Sequence, residues 1–184
     1  MRRRPCEEDF LDPMIPLCSD RSIALRPVTP EDFEFMAELY ANTRAEEMKL
    51  VDWPDEQKRA FLRSQFTAQC DHYAQYYPDA SFDIIERSGT PIGRLYVFRG
   101  DPDDVRIVDI SLVAEVRGCG VGTELLLAIM RDAEASGRSV SIHVERFNPA
   151  LRLYQRLGFE HVDEHGVYYL MRWRSPSLPQ LNTA

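Results

Sequence analysis

The stretch VRIVDISLVAEVRGCGVGT, residues 105–123, reads as three pieces: a β-branched strand, a short connection, and a glycine-punctuated entry into a helix. Gly118, Gly120 and Gly122 alternate where strand gives way to helix, so the backbone can turn sharply and leave several N–H groups unobstructed at a helix start. Such a start carries partial positive charge and unpaired donors, and Arg117 adds a formal charge at its edge. The stretch therefore predicts an anion site, and phosphate is the anion such a site suits best.

The flanking segments supply strands before the loop and a crossover after it. Phe82 to Glu86 and Ile92 to Phe98 flank the turn RSGTP (87–91), and GDPD (100–103) precedes the central strand, which predicts an antiparallel meander of three strands. Glu124 to Ala135 has a Leu/Ile/Met face and stops at Ser136-Gly137, as a helix covering a sheet would. Val140 to Val144 then alternates as a strand, Phe147-Asn148-Pro149 breaks it, and Ala150 to Leu157 reads as a short helix ended by Gly158. Phe159 to Val162 and Val167 to Trp173 flank a turn expected at Asp163-Glu164-His165-Gly166.

Ahead of the meander, Ser22 to Val28 alternates as a strand and Thr29-Pro30-Glu31-Asp32 starts a helix with a capping hydroxyl, a proline and early acids. Phe33, Met36, Ala37 and Tyr40 recur at helical spacing; a second amphipathic pattern follows Pro54-Asp55-Glu56 and carries Phe61, Leu62, Phe66, Tyr73 and Tyr76. Between them, Arg44 to Trp53 breaks helical period and concentrates Glu46, Glu47, Asp52 and an indole. That segment could line a binding mouth, with Glu47, Asp52 and Trp53 holding an ammonium by charge and cation–π attraction, although capping and solvation explain the acids equally well. The element order is βααβββαβαββ, an α/β (α+β) arrangement of about seven strands and about four helices in a mixed, mostly antiparallel sheet. Residues 1–20 read as a loosely held arm, 21–174 as one domain and 175–184 as a Ser/Pro tail.

Composition narrows the class. The chain has 184 residues, 44% of them hydrophobic, enough for one core without metals or disulfides. A net charge of −8 argues against nucleic acid or an anionic membrane as the main partner and is compatible with a cationic acceptor. Cys6, Cys18, Cys70 and Cys119 show no CxxC pair, which fits neither a zinc site nor a disulfide framework, and they read as reduced thiols. No apolar run reaches the ~18 residues of a membrane span. The expectation is a soluble cytoplasmic protein without metal.

Two segments together carry a family resemblance. Arg117, Gly120 and Gly122 match the pattern Gln/Arg-x-x-Gly-x-Gly/Ala after a strand, and Asn148, Leu153-Tyr154 and Gly158-Phe159 follow in order beyond a helix and a strand. With these the chain resembles the Gcn5-related N-acetyltransferase (GNAT) family from about Ser22 to Trp173. The resemblance implies acetyl-CoA as acyl donor: Leu112 and Val113 would bind the pantetheine arm like an added strand, and the loop from Arg117 through Gly118, Gly120, Val121, Gly122 and Thr123 would cradle the pyrophosphate. Asn148 would hold the pantetheine amide, and Tyr154 would be cofactor contact and general acid to the departing thiolate. The implied reaction is direct transfer of the acetyl group to a primary amine of a small molecule or peptide, in a cleft where two strands diverge near Leu112. Homodimer formation through the final strands is a further implication.

The general base is less direct. Where histone-type relatives place a glutamate on the central strand, this chain has Arg106, which cannot accept a proton. Asp109 and His143 are the leading candidates, with Glu145 and the mouth carboxylates Glu47 and Asp52 behind them. Asp109 is equally explained as the ion-pair partner of Arg94 or Arg106, and His143 as a histidine satisfied within a sheet. His143 and Glu145 share one face of their strand by alternation. The glycine pattern lacks the Gly-Lys-Ser/Thr of a nucleotide P-loop and the spacing of a dinucleotide fingerprint. Cys119 at a helix start would have nucleophilic character, but it fills an unconstrained position and no histidine neighbours it. The alternative from another class is a non-catalytic acyl-CoA-binding domain that senses the cofactor.

Overall fold

The computed structural model describes residues 22–176. The arm expected over 1–20 and all but the first two residues of the tail expected over 175–184 lie outside them. A single seven-stranded sheet organises the described chain in the order β1-β2-β3-β4-β5-β7-β6. Its strands are β1 (Ile23–Pro27), β2 (Ser81–Arg87), β3 (Thr90–Phe98), β4 (Asp104–Leu112), β5 (Ser139–Glu145), β6 (Glu160–His165) and β7 (Tyr168–Trp173). Every neighbouring pair is antiparallel except β4 and β5, which the crossover helix makes parallel. The helices are α1 (Phe33–Thr43), α2 (Ala45–Lys49), α3 (Asp55–Tyr76), α4 (Val121–Ala135) and α5 (Leu151–Arg156). No helix among the described residues is long and apolar enough to cross a membrane.

Period-two alternation in the strands feeds two cores. Ile85, Leu95, Val97, Val105, Ile107, Val140, Ile142 and Val144 pack on one face beneath α4 and α5, whereas Ile84 and Tyr96 pack on the other with Met36, Tyr40, Leu62 and Phe66 of α1 and α3. Phe66 is wholly buried and rests against Phe33 and Tyr40, with ring centroids 5.4 and 5.8 Å away.

Three details depart from expectation. Residues 45–49 of the supposed connection form α2, a fifth helix, because Ala, Glu, Met and Lys favour helix even where no residue is buried to impose a period. The β6–β7 turn is Gly166-Val167 alone: β6 continues through His165, which pairs with Tyr168, and Gly166 takes φ 61 to close a two-residue hairpin. Cys119 is disulfide-bonded, not a reduced thiol, and its partner is not among the described residues; Cys70 is free.

Close approach of β3 and β4 explains one glycine. A Cβ on Gly93 would sit 2.3 Å from the Ser111 carbonyl oxygen and 2.8 Å from Leu112 Cδ2. That pairing holds the end of β4 against β3 just before the glycine loop.

Phe66→Ala removes the ring that α1, α3 and the sheet share. It should lower stability by about 3–5 kcal/mol, read from the midpoint of urea unfolding.

Candidate functional site

β4 pairs with β3 along most of its length but with β5 over four residues only, from Asp104↔Ser139 to Ile107↔Ile142. Beyond Ile107 the two central strands part, five residues before Leu112, where the sequence had placed the divergence. The cause is a bulge: Val97 pairs with Ile107 and Tyr96 with Asp109, so Val108 is an extra residue on β4. The β4 edge facing β5 is consequently unpaired by the sheet from Val108 onwards, while β5 continues beside β7 as far as Glu145. A wedge-shaped opening results, with a backbone edge that an extended amide-bearing group can pair with.

The glycine loop closes the loop end of β4. Gly118 and Gly120 have φ 76 and 88, a left-handed conformation that side-chain-bearing residues adopt at a cost of ~1–2 kcal/mol. Gly120 is the α4 N-cap and contributes no side chain, so no side-chain cap occupies that helix start. The first intrahelical bond runs from Glu124 N–H to Gly120 O at 3.0 Å, leaving the N–H groups of Val121, Gly122 and Thr123 ahead of the ladder. Arg117 Nε donates to the Leu112 carbonyl at 2.9 Å, which ties the loop to the strand end. Gly122 faces Leu153 and Leu112: a Cβ there would lie 3.6 Å from Leu153 Cδ2 and 3.9 Å from Leu112 Cδ1. Strand end, helix start and α5 thus meet at one point. A cleft of about 500 Å³ runs from Cys119, Gly120 and Val121 along α4.

Asn148 and Tyr154 come from the segment beyond β5. Asn148 Oδ1 accepts from Ala150 N–H at 2.9 Å within the turn that precedes α5, with its amide N–H groups left as donors. Tyr154 is 4% exposed and its ring meets Phe159 edge-on at 5.6 Å. Burial, aided by the negative charge of Asp109, pushes its hydroxyl well above the ordinary phenol range, so Tyr154 keeps its proton at pH 7.

Asp109 is saturated. Its carboxylate accepts from Arg94 Nη2 at 2.8 Å, Arg94 Nε at 3.4 Å, Tyr73 OH at 3.3 Å and Ser111 Oγ at 2.9 Å, filling about four lone-pair sites. Arg94 itself is 2% exposed, donates to Gln69 Oε1 at 2.8 Å and lies over the rings of Phe66 and Tyr96. Burial pushes the Tyr96 hydroxyl up to about 12. Of the two partners the sequence left open for Asp109, the structure pairs it with Arg94.

His143 stands apart from this network. Arg106 Nη2 lies 2.6 Å from His143 Nδ1, and because a guanidinium only donates, Nδ1 carries the lone pair and Nε2 the hydrogen. Burial first, then the positive charge of Arg106, hold the imidazole below its ordinary pKa of 6.5 and therefore neutral at pH 7. Its one basic lone pair faces Arg106. Glu145, on the same strand face, accepts from Arg44 Nη1 at 2.8 Å and Tyr168 OH at 3.3 Å. Arg44 also donates to Glu47 at 2.9 Å, so the junction between α1 and α2 gathers Glu47 and Glu145 around one guanidinium. Trp53 does not join them: it packs edge-on against Phe61 of α3 at 5.5 Å, and Asp52 is exposed. Arg44 escaped the sequence reading because its contact to Glu145 links distant segments.

The chain belongs to the acetyltransferase (GNAT) family, whose profile matches residues 38–159. No curated protein matches the sequence. Among solved structures, the fold is similar to the PaiA N-acetyltransferase of Thermoplasma acidophilum in complex with coenzyme A, at 19% identity and TM-score 0.64, covering 84% of this chain and 99% of that one. It is also similar to a Gcn5-related N-acetyltransferase from Rhodopseudomonas palustris, at 21% identity and TM-score 0.60, covering 85% and 98%. A GNAT family acetyltransferase of Elizabethkingia anophelis with acetyl-CoA bound aligns at 18% identity and TM-score 0.54, covering 84% and 99%. The mixed, mostly antiparallel sheet of this chain is the fold these proteins share.

Asp109→Asn leaves the Arg94 guanidinium buried without a counter-charge and should cost about 3–5 kcal/mol in urea unfolding. A base exposed to solvent would cost nothing comparable. His143 titrates lower in the folded chain than in the unfolded one, so between those two values the unfolded state binds more protons. Its contribution is complete above pH 6.5 and declines as pH falls from 6.5 through the lower folded value. His143→Gln should flatten that limb of stability against pH, measured as unfolding midpoints from pH 8 to 5.

Proposed function

We propose that this chain is an N-acetyltransferase that moves the acetyl group of acetyl-CoA directly onto a primary amine of a small molecule or peptide. The observation that carries the reading is the parting of β4 from β5 beside an uncapped α4 start, with the Tyr154 helix closing the same corner. The donors and open edge present fit the coenzyme. The N–H groups of Gly118 and of Gly120 to Thr123 suit its pyrophosphate, and the β4 edge left open beyond Ile107 suits the pantetheine amides ahead of Leu112 and Val113, whose carbonyl and N–H are already bonded to Arg117 and Ile92; the Asn148 amide adds a donor.

When bound, the coenzyme supplies the acetyl group as a thioester. The chain's part is to align, polarise and protonate. Backbone N–H groups of the open β4 edge stabilise negative charge on the carbonyl oxygen as the amine nitrogen attacks. As the C–N bond forms and the C–S bond breaks, the Tyr154 hydroxyl gives its proton to the leaving sulfur, the nitrogen releases to water the proton it carries after attack, and Tyr154 is reprotonated from solvent. The amine must arrive neutral or lose its proton to water in the opening, because the Asp109 carboxylate is saturated and the His143 lone pair is held by Arg106. Asp109 has a positioning role here, fixing Arg94 and Tyr73 behind the wedge. Tyr154, freed of competing partners among the described residues, has the acid's role.

Tyr154→Phe should lower kcat by about 10²- to 10⁴-fold while leaving acetyl-CoA affinity within about twofold, measured by thiol release with an amine panel and by calorimetry. Tight acetyl-CoA binding by the wild-type chain with no turnover of any acceptor would instead leave a cofactor-sensing domain.

A further inference from the structure

Arg87 ends β2 and is 6% exposed, yet its Nε and Nη1 have no hydrogen-bond partner. A buried guanidinium with two unpartnered nitrogens is costly to a fold, and an anion entering from outside can complete it. Arg87 lines the same cleft as the α4 start, and so does Arg131, nearly three turns further along that helix. Thr123, Leu127 and Arg131 recur every fourth residue on the cleft wall, a rise of ~12 Å from first to last. The α4 wall of the cleft is longer than a pyrophosphate, and besides the N–H groups at the helix start the lining carries two guanidiniums, Arg87 and Arg131.

We propose that Arg87 and Arg131 form a second anion subsite, distinct from the glycine-loop cradle, that takes a phosphate monoester. The lining carries two guanidiniums against the single carboxylate of Glu124, and the α4 start adds about half a positive charge. A phosphate monoester brings nearly two negative charges and three acceptor oxygens, which match a guanidinium's forked donors. The group comes from one of two sources: the 3′-phosphate on the ribose of coenzyme A, or a separate inorganic phosphate. The first source rests on the proposed function; the second does not.

The test compares the full chain with Arg87→Gln by calorimetry using coenzyme A and 3′-dephospho-coenzyme A, and by phosphorus-31 NMR titration with inorganic phosphate. Wild type should bind coenzyme A at least about tenfold more tightly than the dephospho form, and Arg87→Gln should erase that preference while leaving the dephospho affinity unchanged. Arg87→Gln should also melt at or above the wild-type temperature, since it relieves an unpaired buried charge. Saturable phosphate binding that survives in the presence of coenzyme A and vanishes in Arg87→Gln would assign the subsite to a separate anion. Equal affinities for the two coenzymes together with no phosphate binding would overturn the proposal, as would lowered melting with the preference intact. Should Arg87→Gln not fold, Arg131→Gln on the exposed flank of α4 must weaken the same preference or phosphate response, or the subsite falls. If neither coenzyme binds wild type, the acetyl-transfer reading fails, and the phosphate titration still decides the subsite.

Discussion

The arrangement depends on an unequal pairing of the central strand. β4 is held by β3 nearly to its end but by β5 for only four residues, and the bulge at Val108 is what lets one edge stay bonded while the other opens. A strand in mid-sheet with an unpaired edge leaves backbone donors and acceptors without partners, which an ordinary core would not tolerate. Here the cost is confined to the segment where a ligand's amides can meet it.

The same bulge changes which way the side chains face. Val105 and Ile107 lie in the core under α4, and strict alternation would send residue 109 there as well. The extra residue instead puts Val108 and Asp109 together on the α3 side, and Ile110 and Leu112 return to the α4 side. Asp109 thereby reaches Arg94, Tyr73 and Ser111, and a buried cation that would otherwise be intolerable is neutralised directly behind the opening.

Charge is distributed unevenly around the opening. Towards α1 and α2, Arg44 gathers Glu47 and Glu145; on the β4–β5 face Arg106 occupies His143; along α4, Arg87 and Arg131 face a cleft with an uncapped helix start. The first two cations are satisfied by side chains of the chain itself. Arg87 is not, and the contrast between paired and unpaired guanidiniums separates groups that build the fold from one that awaits a ligand.

Local chemistry was legible in the residues alone. Alternating glycines after a β-branched strand impose a turn and an open helix start whatever surrounds them, and period-two and period-3.6 patterns place the seven strands and the main helices because each reflects one element facing one core. The short helix at 45–49 was hidden because only Met48 of it packs against a core, and only in part, so no period marks it. Only the tertiary structure decided where β4 and β5 part, which face Asp109 takes, that Arg106 holds His143, and that Arg87 meets α4. Each of these depends on the register between separate segments, and one inserted residue in a two-residue repeat reverses every assignment after it.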